Sequence, residues 1–88
     1  MKTALVVITF PYGKDKDDEQ KAYQLLLEQA AEQEGKAKGV ERLDRNVWLI
    51  DVHTGQRFLA WLLASASAPP VSRPAKVMYF DHDGWIQL

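Results

Sequence analysis

Cysteine is absent from these 88 residues, so neither disulfides nor a cysteine-based zinc site supplements the core. A small domain without such staples often finds further buried area in a partner subunit. A strong charge of either sign is also missing. Eleven Lys and Arg against twelve Asp and Glu leave a net charge of −1, so no global basic field marks a nucleic-acid binder. Long apolar runs are missing too. The opening MKTALVVITF puts a lysine before an apolar stretch, but PYGKDKDD follows where a secretory signal needs small residues for cleavage. The stretch therefore reads as a first β-strand. No run approaches the roughly 20 apolar residues of a membrane span, and the expectation is a cytoplasmic protein with no membrane partner. No nucleophile motif, phosphate-cradling glycine run or dinucleotide fingerprint occurs.

What is present is the material of one domain over residues 1–88, with 47% apolar residues, a share too high for disorder. Ala4 to Phe10 is β-branched, aromatic and continuously apolar, the mark of a strand buried on both faces. Pro11-Tyr12-Gly13 breaks it. Asp15 is placed to cap a helix whose first turn carries Asp17, Asp18 and Glu19 near its positive end. Ala22, Tyr23, Leu26, Leu27 and Ala30 fall on one stripe of that helix, which runs to about Glu34 before Gly35. Val47 to Val52 is a second secure strand, followed by Thr54 as the expected N-cap of another helix. Phe58, Leu59, Leu62, Leu63 and Ala66 form its stripe, flanked by Trp61. SASAPPVSRP reads as a loop because three prolines in six residues prevent regular structure. Lys76 to Phe80 is a further strand, and Trp85 to Leu88 a short last one.

The topology turns on Lys36 to Arg45. Read as a loop, this segment leaves a parallel βαβαβ arrangement with helices on both faces. Read as a strand, it pairs with Val47–Val52 through a tight turn near Asp44-Arg45-Asn46. The result is then α+β, a ferredoxin-like βαββαβ with one antiparallel sheet and two helices on one face. Its mixed polar character suits an edge strand, and a structureless loop of that length is uncommon in a compact domain. The strand is the expectation.

LVVITF, the hairpin LDRNVWLIDV, the helix TGQRFLAWLL and a terminal strand followed by GW resemble, in order, the CRISPR-associated protein two family and its stand-alone relatives. That resemblance implies a ferredoxin-like fold and a homodimer whose terminal strands extend across the interface. It implies either a metal-dependent nuclease or a non-catalytic scaffold that helps hold DNA. The family's metal-binding aspartate closes the first strand just after an aromatic residue. Here Phe10 matches the aromatic and Pro11 takes the aspartate's place. Proline has no carboxylate to coordinate magnesium, so the expectation is a non-catalytic member.

Asp81-His82-Asp83 is the sharpest apparent constellation. Two carboxylates and an imidazole suit magnesium or manganese if they converge. Asp and Gly before Trp85 also suit a turn for backbone reasons alone, and the turn is the preferred reading. Asp15, Asp17 and Asp18 read as a helix start rather than a metal cluster. His53 is a loop histidine without a neighbouring ligand. Lys36, Lys38, Arg42 and Arg45 give the hairpin a basic tint, a candidate contact for DNA or RNA, although charges on an edge strand also guard against aggregation. Trp48, inside an apolar strand, belongs to the core; Trp61 and Trp85 are candidates for covering a subunit contact.

The strands predict the assembly. Ala4, Val6 and Ile8 alternate with Leu5 and Val7, and Val47 and Leu49 with Trp48 and Ile50, so both sheet faces are apolar. An open face of this kind predicts a homodimer packed sheet against sheet, with Trp85, Ile86 and Leu88 covered by the partner. The leading expectation is thus a non-catalytic homodimeric scaffold without a cofactor. The rivals are a magnesium or manganese nuclease using Asp81, His82 and Asp83, and a small-ligand or regulatory module of similar fold.

Overall fold

The computed structural model describes residues 2–69, 71 and 75–81. Its elements are β1 (Lys2–Val7), α1 (Asp17–Glu34), β2 (Val40–Asp44), β3 (Val47–Asp51), α2 (Gln56–Ser67) and β4 (Lys76–Asp81). The strands form one sheet in the order β2-β3-β1-β4, and every pairing is antiparallel. This is the expected α+β architecture, consistent with a ferredoxin-like fold, and it rules out the parallel βαβαβ alternative. The short extra strand expected at Trp85 to Leu88, and the expected turn from His82 onward, lie outside the described residues.

Period-two burial builds the core. Ala4 and Val6 on β1, Ile8 just beyond it, and Trp48 and Ile50 on β3 point to one face of the sheet. There they form a single cluster with Tyr23, Leu26, Leu27 and Ala30 of α1 and Phe58, Leu59, Leu62 and Ala66 of α2. Both helices therefore cover the same face, and each large side chain buried there stabilises the fold by about 1.5–3 kcal/mol.

Trp48 is wholly buried, and an indole N–H there needs an acceptor. Glu34, at the last turn of α1, supplies it: the Trp48 Nε1–H donates to Glu34 Oε1 at 2.7 Å. Arg42 on β2 offsets the carboxylate, with Nε 3.3 Å from the same oxygen and its guanidinium 5.1 Å from the centre of the Trp48 ring. Its Nη2 also donates to the Arg45 carbonyl at 2.8 Å.

The opposite end of the sheet is closed by backbone acceptors. The Ile8 carbonyl takes the Tyr23 hydroxyl at 2.9 Å and the Asn46 side-chain amide at 3.0 Å. Gln20 donates to the Pro11 carbonyl at 2.9 Å. Burial pushes the Tyr23 phenol above its usual range, against the opposing pull of Arg45.

Several local expectations are corrected. Asp15 does not cap α1; it takes a left-handed backbone (φ 64°), and the N-cap position falls to Lys16 without a side-chain cap bond. Residues 36–39 are a connector rather than strand, since β2 begins at Val40. Helix α2 continues through Ser67, so the first part of SASAPPVSRP is helical. Asp81 closes β4 opposite Lys2 rather than opening a turn. The β2–β3 turn is the expected tight one, but the register slips between Arg42 and Asp44, leaving Leu43 as an extra bulged residue.

Gly39 makes the connector possible. Its φ is +72°, and a Cβ there would overlap the Thr54 hydroxyl and approach the Asp51 Cβ to 3.0 Å. Gly35, with φ −63°, has only one neighbour near such a Cβ, at 3.5 Å. Gly39→Ala is therefore expected to destabilise by about 1–3 kcal/mol, whereas Gly35→Ala gains up to about 1 kcal/mol. Urea unfolding of the two variants checks this, and equal losses at both positions would contradict it.

Candidate anion-binding cleft

The β3–α2 turn lies against the connector that leads into β2, and the two segments together shape a cleft. Asp51, at the end of β3, organises the turn. Its carboxylate accepts the N–H of His53 at 2.8 Å and of Thr54 at 2.9 Å, while its carbonyl accepts the N–H of Gly55 at 2.8 Å. These bonds, the Thr54 amide foremost, hold the Asp51 carboxyl below its ordinary value, with burial opposing. Thr54 is consequently not the N-cap. Gly55 takes that position without a side-chain cap, because a Cβ there would come 2.7 Å from Ile50 Cγ2 and 3.0 Å from the Asp51 carbonyl.

The cleft has a volume of about 520 Å³. Lys36, Ala37 and Lys38 line it from the connector, His53 to Phe58 from the turn and first helical turn, Gln33 from α1 and Trp61 from α2. Three of the lining side chains are cationic: Lys36, Lys38 and Arg57. Among the described residues no carboxylate lines it, and none of the three cations is ion-paired. The first turn of α2 contains no acidic residue; the carboxylate nearest this helix end is that of Asp51, which is engaged by the His53 and Thr54 amides. Trp61 is half-buried and leans on Phe58, with ring centres 5.8 Å apart at 46°. The arrangement suits a ligand with an anionic end and a flat apolar part.

The four cations expected to act together are separated. Lys36 and Lys38 reach the cleft, whereas Arg42 is drawn inward to Glu34 and Trp48, and Arg45 donates to Gln24 at 2.7 Å on α1. His53 joins the cleft, a role its lone position in the chain did not suggest. Arg57 was missed altogether. Its signal is a cation in a first helical turn, where the macrodipole favours acids. Pro11 is fully buried, and among the described residues no three His, Cys, Asp or Glu side chains converge on one point. The candidate metal residues His82 and Asp83 lie outside the described residues, as do the interface candidates Trp85, Ile86 and Leu88.

The lowered Asp51 pKa links turn stability to pH. Its contribution is complete above the ordinary value of 3.8 and is lost as the pH falls through the lowered folded-state value. Asp51→Asn, which mimics the protonated acid, is expected to have a lower urea midpoint than the unaltered protein at neutral pH. Below pH 3.8 the two midpoints should converge. A gap that persists unchanged into acid would disprove the link.

Compared with known proteins, the chain matches no family model, no curated protein and no solved structure.

Proposed function

We propose that this chain is a non-catalytic scaffold that pairs with a second copy of itself through the sheet face turned away from the helices and holds nucleic acid at its basic connector. The observation that carries the pairing is the composition of that face. Leu5 sits between Leu49 and Met78 in register, and Val7 lies opposite Val47. None of these side chains belongs to the cluster beneath the helices; Met78 is 63% exposed, Leu5, Val7 and Val47 are half-buried, and Leu49 is buried. Among the described residues no helix packs on this row, and an apolar row of this kind favours sheet-on-sheet association.

The absence of catalysis is supported by the resemblance to the CRISPR-associated protein two family together with Pro11, which fills the position of that family's metal-binding carboxylate with a buried ring. Contact with nucleic acid is supported by Lys36 and Lys38. They are exposed on the connector and not consumed by the internal contacts that hold Arg42 and Arg45.

Light scattering at tens of micromolar, a range that captures dimers of ordinary affinity, should return twice the chain mass. Met78→Glu, an exposed substitution, should weaken the dimer at least tenfold, a loss of about 1.4 kcal/mol, while the circular dichroism spectrum is retained. A persistent monomer would refute the assembly. DNA or RNA cleavage that requires magnesium or manganese, and that disappears with Asp81→Ala and Asp83→Ala together, would establish the nuclease instead.

A further inference from the structure

We infer that the cleft between the connector and the start of α2 is a binding site for a nucleoside 5′-phosphate, with the phosphate held by Lys36, Lys38 and Arg57 and the base against Trp61. Two independent features of the cleft point to this ligand class. The first is charge: three cations from separate parts of the chain line one concavity, with no carboxylate among its described lining residues. The three are exposed, so solvent moderates their mutual repulsion, but a near-neutral chain still places like charges around one concavity here. A dianionic phosphate relieves that repulsion and is met by charge-assisted hydrogen bonds.

The second feature is shape and apolarity. A volume of about 520 Å³ falls within the roughly 300–1,000 Å³ of small-ligand sites and is larger than a bare phosphate requires. Trp61 and Phe58 give the cleft an aromatic wall, and Gln33 and Gln56 add side-chain amides able to donate to and accept from a base or sugar. Stacking of a base on an indole tolerates every base because each presents a π-face. An inorganic anion would leave this wall unused, and an uncharged aromatic compound would leave the cations unanswered.

All lining residues belong to one copy of the chain, so the inference does not depend on the proposed dimer. A monomer that takes nucleotide and a dimer that ignores it are separate outcomes.

The test is titration of the full chain, followed by amide and indole NMR, with adenosine 5′-monophosphate, adenosine, inorganic phosphate, and short single strands bearing either a 5′-phosphate or a 5′-hydroxyl. The monophosphate is expected to shift the signals of residues 36–38, 53–58 and the Trp61 indole, and to bind at least tenfold more tightly than adenosine or phosphate. Lys36→Gln with Lys38→Gln, and separately Trp61→Leu, should each weaken it about tenfold; Trp61→Phe should retain most of the affinity, which separates stacking from a loss of fold. A strand that needs its 5′-phosphate and shifts the same signals would identify the source as a nucleic-acid end, and free nucleotide alone would identify a soluble ligand. The assignment is overturned by an absence of shifts up to about 10 mM monophosphate, by shifts elsewhere, by phosphate binding as tightly as the nucleotide, or by equal binding of the 5′-hydroxyl strand.

Discussion

A buried indole N–H is the constraint around which this small domain is arranged. Trp48 lies in the middle of β3, fully buried, and Glu34 is the acceptor that reaches it. A half-buried carboxylate is favoured by a neighbouring cation, and Arg42 supplies one from β2. One contact therefore locks the end of α1, the edge strand and the central strand together. The same contact explains why the basic hairpin is less basic in space than in sequence. Arg42 is turned toward Glu34 and Trp48.

The order of elements was legible because each core element carries its own period. The stripe from Tyr23 to Ala30 and that from Phe58 to Ala66 repeat at helical spacing, and the alternation through Ala4, Val6 and Ile8 repeats at two. Edges and ends were less legible. Thr54 has a capping side chain, but Asp51, three residues earlier, accepts the His53 and Thr54 amides and winds them into a turn, which hands the N-cap position to Gly55. Val40 and Arg42 share one parity on β2, so an inward Arg42 was available from alternation alone; edge-strand reasoning, which assigns charge to solvent, obscured it.

The cleft was only partly visible for a different reason. Lys36 and Lys38 stand out as cations, but Arg57 and Trp61 belong to another supersecondary unit, and only the β3–α2 turn brings them alongside. That turn depends on Gly39 and Gly55, at which a side chain would collide with Thr54 and Ile50 respectively. A glycine in a mixed polar stretch signals a break in structure, not which two segments must approach each other. That apolar residues also occupy the sheet face away from the helices was, by contrast, legible, because apolar residues at consecutive strand positions must point to both faces.

The Ile8 carbonyl has a consequence for how the molecule can move. Both of its lone pairs are committed, one to Tyr23 and one to Asn46, so displacing either element at that end strands a donor in a poorly hydrated place. The turn at the cleft end is tied differently: besides the bonds within residues 51–55, the Asp51 N–H donates to the Gly39 carbonyl at 2.7 Å and the Val52 N–H to the Lys2 carbonyl at 3.1 Å. The β1–α1 end is thus held by side chains, which a single substitution can remove, and the cleft end largely by main chain, which substitution leaves in place.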